Sequence, residues 1–178
     1  MKKFVISLLL AVSATSAGLG QGGATPKPGA EHAKLAALVG TWTTEGQSMD
    51  SPLGPGEKWS GKIVTEWFEG RFAVVRHGQG KGSVSGESRS LDVLTYDAAA
   101  KGYTWYGIDN QGSTGLGKGS ITGDTLTMVW DVPSKGKTYK VRGTLKGLGT
   151  DKFTWTQEYS EDGKTWKAYL HSTDTRAK

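Results

Sequence analysis

The sequence predicts an all-β fold, an antiparallel up-and-down barrel of about eight to ten strands with a short helical segment before it. Composition is the first observation: the 178 residues include 27 Gly, 20 Thr, 7 Trp and 6 Tyr. Turn-forming, β-branched and aromatic residues in such numbers are typical of β-proteins. The second observation is a period-two alternation of apolar and polar side chains within short segments, which indicates antiparallel strands over one core.

The first seventeen residues have the order of a secretory signal peptide. Lys2 and Lys3 precede an apolar run, and small residues follow up to Ala17. Without residues 1–17 the chain has 161 residues, and its net charge falls from +5 to +3 because the two lysines are lost. We therefore expect an exported protein, in the bacterial periplasm or secreted, with no stable membrane insertion after signal cleavage.

The rest of the chain divides into a linker and one domain. Residues 18–33 are rich in Gly, Ala and Pro and are predicted to form a flexible linker. Residues 34–178 are predicted to form the barrel, as a monomer or weak dimer. Around the boundary, Glu31 to Val39 can form one or two helical turns, with its leucines on one side.

Ten strands are predicted, each bounded by Gly, Asp or Pro. Leu126, Met128 and Trp130 illustrate the alternation, since they share one face of their segment. Closure into a barrel removes the exposed edges that ten short strands would otherwise present; a sandwich is the alternative. The predicted strands are Thr41–Gln47, Glu57–Phe68, Phe72–Gln79, Ser88–Tyr96, Tyr103–Ile108, Thr114–Ile121, Thr125–Asp131, Thr138–Leu145, Lys152–Ser160 and Thr165–Asp174.

Gly40-Thr41-Trp42 follows the helical segment and opens the first strand. This arrangement resembles the lipocalin-like (calycin) barrels, in which the Trp of a Gly-x-Trp motif packs across the closed end. The resemblance implies that a basic side chain from near the last strand lies over Trp42. Arg176 is the best match for that side chain, and Arg142 and Lys167 are the alternatives.

Four further motifs follow in an order that resembles a bacterial lipocalin-like family of unknown function. The resemblance covers roughly residues 34–176. It implies an exported or cytosolic single-domain barrel, and it brings no established substrate or catalytic residue. The motifs are Gly70-Arg71-Phe72, Tyr96-Asp97 with Gly102-Tyr103 and Trp105, Glu158-Tyr159, and Asp162-Gly163-Lys164.

Several functional classes gain no support. The sequence has no Cys, so disulfides, thiolate zinc sites and Cys nucleophiles are excluded. Neither Gly-x-Ser-x-Gly nor His-Glu-x-x-His occurs. Lysines are spread over turns and interleaved with acids, so no nucleic-acid partner is expected. An enzyme built on Asp92, Asp109, Tyr106 or His77 is a minor alternative.

No metal or cofactor is predicted, and two histidines are the candidates for a haem ligand. His77 and His171 lie in predicted strands and could act as ligands inside a barrel. His171 shares its parity with Lys167 rather than with Leu170. We therefore expect it to face water, and haem remains a minor alternative.

Seven tryptophans exceed what one barrel needs to close its end, so we predict a cavity for a small hydrophobic or aromatic ligand. The alternative is a filled core, in an envelope interaction protein that acts through Gly-rich rim loops at residues 78–86 and 112–119. No catalytic residues are predicted. The expected ligand-binding residues share a parity and are Trp105, Met128, Trp130, Tyr139, Phe153, Trp155 and Gln157.

Overall fold

The computed structural model describes residues 26–178. The predicted signal peptide at residues 1–17 lies outside this range, as does the first half of the predicted linker, residues 18–25. The described chain begins with a helix, α1 (Ala30–Ala33), which continues into a 3₁₀ turn at Lys34–Leu38. We call Ala30–Leu38 the helical plug. Within residues 26–178, no helix has the length and apolarity needed to cross a membrane.

Ten antiparallel strands follow and close into a barrel, as the sequence predicted. Each strand pairs with its neighbours in the chain, and β1 pairs with β10 to complete the circle. A 3₁₀ turn at Glu69–Arg71 joins β2 to β3. The strands are β1 (Gly40–Ser48), β2 (Lys58–Trp67), β3 (Ala73–Gly82), β4 (Gly86–Asp97), β5 (Gly102–Asp109), β6 (Thr114–Thr122), β7 (Thr125–Ser134), β8 (Lys137–Lys146), β9 (Lys152–Ser160) and β10 (Lys167–Arg176).

The helical plug closes one end of the barrel. Leu35 and Leu38 are fully buried among the apolar side chains that the strands direct inward at that end. Tyr103 donates a hydrogen bond to the Glu31 carbonyl oxygen at 2.8 Å, and His32 packs edge-on against Phe72. The fold therefore begins at Ala30, ahead of the predicted linker boundary at residue 33, because these contacts hold the plug in place.

Trp42 lies beneath the plug at the centre of the closed end. Its indole nitrogen donates to the Leu38 carbonyl oxygen at 2.9 Å, and its ring is 4.3 Å from the Phe153 ring. The guanidinium of Arg176 lies 4.2 Å from the Trp42 ring centroid. Of the other two candidates, Arg142 lies over Trp166 instead.

The glycine-rich stretches differ from the predicted rim loops. Residues 78–82 belong to β3, and residues 114–119 belong to β6. Only short turns remain outside the strands, because these glycines lie in regular backbone pairing across the barrel wall. The expectation of flexible rim loops at residues 78–86 and 112–119 is thus corrected: residues 80–82 extend β3, and residues 114–119 belong to the strand that was predicted at Thr114–Ile121.

Candidate ligand cavity

The barrel encloses a cavity of about 340 Å³ above the apolar layer that meets the plug. This volume falls within the ~300–1,000 Å³ range of small-molecule sites. Side chains or backbone from β1 to β5 and from β7 to β10 line it. A barrel whose core is filled by side chains, the alternative that the sequence left open, is not consistent with a cavity of this volume.

Apolar side chains from β5 to β9 form one contiguous side of the cavity. The ring centroids of Trp105 and Trp130 are 5.5 Å apart, and Trp130 stacks nearly parallel to Trp155 at 6.4 Å. Flat aromatic surfaces of this kind bind flat or apolar ligands well. We call this side the aromatic wall, and it consists of Trp105, Leu126, Met128, Trp130, Leu145 and Trp155.

Glycines make room for these large rings. Trp105 lies over Gly115 and Gly117 of β6, where an added Cβ would press against the indole. Trp155 lies in the same way over Gly143 of β8. The indoles therefore lie flat along the wall instead of filling the centre, and this is one reason why the cavity remains open.

Polar side chains from β10, β1, β3 and β4 form the opposite side. The two sides are contiguous halves of the barrel, because β10, β1, β2, β3 and β4 are neighbours in the closed sheet. We call this side the polar wall, and it consists of Thr44, Arg76, Ser88, Ser90, Asp92, Ser172 and Asp174. Trp59, Ile63 and Leu170 lie among these residues.

Two charged groups of the polar wall carry buried atoms without a partner. Arg76 Nε and Asp174 Oδ1 form no hydrogen bond within residues 26–178. Asp174 is only 3% exposed. Burial raises the pKa of its carboxyl, while the Thr44 hydroxyl and the charge of Arg76 lower it to a smaller extent. Asp92 differs, since Trp105 Nε1 donates to its Oδ1 at 2.9 Å.

The sequence matches the DUF1579 family, described as a protein of unknown function, over residues 27–176. The chain belongs to the DUF1579 family. The match includes all ten strands and the helical plug. No curated protein sequence matches the chain.

Solved structures share the barrel fold of this DUF1579 chain. Rv2717c from M. tuberculosis is similar at 15% identity and a TM-score of 0.59, and the match covers 85% of this chain and 100% of Rv2717c. The S-type phycobiliprotein lyase CPES from Guillardia theta is similar at 14% identity and a TM-score of 0.50, covering 85% of this chain and 99% of CPES. At such low identity these similarities establish the fold alone.

In the DUF1579 barrel, five of the seven residues expected to bind ligand lie together around the cavity: Trp105, Met128, Trp130, Trp155 and Gln157. Phe153 and Tyr139 do not line it. Phe153 packs on Trp42 at the closed end, and Tyr139 is buried beside Tyr159 at a ring distance of 6.0 Å. Inward-facing strand parity was therefore not sufficient to predict which side chains line the cavity, because a residue's height along the barrel axis also decides what it contacts.

The candidate residues for catalysis or haem binding do not lie together in one site. Tyr106, His77 and His171 are exposed, whereas Asp92 lines the cavity. Asp109 accepts hydrogen bonds from the backbone of Gln111 and Ser113 in a turn, and these bonds lower its pKa against the effect of burial. In the described part of the chain, no group of His, Asp or Glu is arranged to hold a metal ion.

Sequence reasoning missed most of the polar wall, Arg76 and Asp174 above all. A signal existed for each. Arg76 shares its parity in β3 with the buried Val74, and Asp174 shares its parity in β10 with Ser172 and Leu170. An ionisable side chain on the apolar parity of a strand indicates an interior polar site.

Proposed function

We propose that this protein is an exported, non-catalytic binding protein for a small, flat, largely apolar ligand. The observation that supports it is the cavity of about 340 Å³ between the aromatic and polar walls. Burial of an apolar ring gains about 25 cal/mol per Å² removed from water, and stacking on indoles adds to this. The proposal assigns no resident cofactor and no nucleic-acid partner, and it takes the protein to be a monomer or weak dimer.

Export is the part of the proposal that rests on residues 1–17. If the signal is cleaved after Ala17, the protein recovered from the periplasm or medium begins at Gly18. Intact-mass measurement of that fraction tests this directly. A full-length mass in the cytosolic fraction would contradict export and would leave ligand binding as a separate question. The similarity of Gly40-Thr41-Trp42 to the calycin motif belongs to the proposal in the same way, since the stacking of Arg176 on Trp42 supports it.

The binding proposal can be tested with N-phenyl-1-naphthylamine, an uncharged fluorescent probe. We expect saturable binding to the wild-type protein, reported by probe emission and by quenching of the three indoles of the aromatic wall. Trp130→Ala should weaken binding by about tenfold, because it removes the central indole of that wall.

Trp166→Ala is the matched control. Trp166 does not line the cavity and instead carries the Arg142 guanidinium 4.3 Å from its ring centroid. Its replacement should leave probe affinity unchanged. Equal affinity in the wild type and in a folded Trp130→Ala variant would count against the cavity as the binding site.

A further inference from the structure

Two residues that line the cavity, Arg76 and Asp174, carry a buried donor atom and a buried acceptor atom that lack hydrogen-bond partners. Arg76 Nε is the donor and Asp174 Oδ1 is the acceptor. Buried polar atoms in folded proteins are nearly always hydrogen-bonded, so an unpaired pair of opposite kind calls for an explanation.

The two groups do not satisfy each other. Within residues 26–178 no carboxylate oxygen lies within the 4.0 Å limit of an ion pair with Arg76. Arg76 projects from β3 and Asp174 from β10, and β1 and β2 lie between these strands in the closed sheet. Both residues line the same cavity, so a ligand in that cavity lies beside both of them.

The charges of Arg76 and Asp174 restrict what can fit there. Asp92, the cross-strand neighbour of Arg76, also lines the cavity, but its Oδ1 already accepts a hydrogen bond from Trp105. A carboxylate would accept from Arg76 but would bring a negative charge towards Asp174. An amidinium or ammonium would donate to Asp174 but would face the Arg76 guanidinium. A planar neutral group with one acceptor and one donor satisfies both atoms without adding a charge.

We infer that the polar wall selects ligands whose head group is a planar, uncharged donor–acceptor pair, such as a carboxamide or a lactam. This inference rests on the proposed function, since the ligand's flat body is the part that the aromatic wall binds. The head group accepts a hydrogen bond from Arg76 Nε and donates one to Asp174 Oδ1. Ser172, which is 5% exposed, is the next inward side chain on the same strand as Asp174 and lies beside this position.

A series of naphthalene derivatives tests the inference, because the ring stays the same while the head group changes. The four probes are naphthalene, naphthalene-2-carboxylate, naphthalene-2-carboxamide and naphthalene-2-carboxamidine. With the wild-type protein near neutral pH we expect the carboxamide to bind about tenfold more tightly than either charged probe. Isothermal titration calorimetry gives the four affinities, and this ranking needs no variant.

Two variants should shift the ranking in opposite directions. Arg76→Met removes the donor and the positive charge, so it should weaken the carboxamide and favour the amidine. Asp174→Asn removes the negative charge, so it should favour the carboxylate. Arg89→Met and Asp131→Asn are the matched controls on exposed positions of β4 and β7, and they should keep the wild-type ranking.

The outcomes separate this inference from the proposed function. If naphthalene binds as tightly as the carboxamide and neither Arg76→Met nor Asp174→Asn changes the ranking, the polar wall does not contribute to ligand selection. That result would overturn the inference but would leave the cavity as the ligand-binding site. If the carboxylate binds most tightly in the wild type, the wall is an anion site and the inference is also overturned. If none of the four probes binds, the proposed function itself fails.

Discussion

Arg176 connects three parts of the closed end through one guanidinium. Its plane covers Trp42, one nitrogen donates to the Val39 carbonyl oxygen at 2.9 Å, and another pairs with Asp151 at 2.9 Å. The Asp151 pair is largely exposed and contributes little. The other two contacts tie the last strand to the chain segment that joins the helical plug to β1.

We expect Arg176→Ala to lower the free energy of unfolding by about 1–2 kcal/mol, because it removes a cation–π contact and a hydrogen bond to backbone. Urea denaturation measures the change. Arg89→Ala, on an exposed strand position, should change it by less than about 0.5 kcal/mol. Equal effects of the two variants would show that the stacking on Trp42 contributes nothing to stability.

Asp174 makes stability depend on pH. Because burial raises its pKa in the folded state, the fold binds this proton more tightly than the unfolded chain does. The stabilisation that protonation brings is complete below the ordinary pKa of an aspartate and is lost as pH rises through the raised value. Asp174→Asn abolishes this titration at nearly constant shape.

The difference in unfolding free energy, wild type minus Asp174→Asn, should therefore fall as pH rises from 4 to 8. Urea titrations at several pH values give the curve. A difference that stays constant, or that increases with pH, would mean that burial does not raise the pKa of Asp174.

At the scale of elements, the helical plug is part of the hydrophobic core of the barrel and does not simply lie on its surface. Leu38→Ala should lower the free energy of unfolding by about 2–5 kcal/mol, because Leu38 is fully buried and its loss leaves a void. Leu116→Ala is the matched control, since Leu116 is 61% exposed on the outer face of β6. Its cost should be below about 0.5 kcal/mol. Similar costs at the two sites would contradict the plug's role in the core.

The elements themselves could be predicted because alternation and turn residues are local signals. All ten strands were found near their predicted positions, including β7 with its inward Leu126 and Met128. The glycine-rich end of β3, residues 80–82, could not be assigned in this way, since glycine favours loops on composition alone; the strand predicted at Thr114–Ile121 already included the glycines of β6. In β6, Trp105 of the neighbouring strand β5 covers Gly115 and Gly117.

At the scale of the whole molecule, closure of the barrel creates a site that no local pattern describes. The aromatic wall could be predicted in part, because strand parity grouped Trp105, Trp130 and Trp155. Strand parity marks Arg76 and Asp174 as inward-facing, but their meeting in one polar wall could not be predicted, since they lie far apart in the chain and reach one cavity only through the pairing of β10, β1, β2 and β3. Strand register and height along the barrel axis decide which side chains become neighbours in the cavity. Both are properties of the closed sheet, so a local sequence pattern does not contain them.

The most direct test of a hollow, ligand-binding barrel is native mass spectrometry of the unrefolded protein mixed with naphthalene-2-carboxamide. We predict one added ligand per chain, released on denaturation. Ser88→Phe, which places a ring in the cavity from β4, should suppress this adduct. Two results would contradict the account. One is the mass of the unliganded chain alone at every probe concentration, and the other is an equal fraction of ligand-bound protein in the wild type and in a folded Ser88→Phe variant.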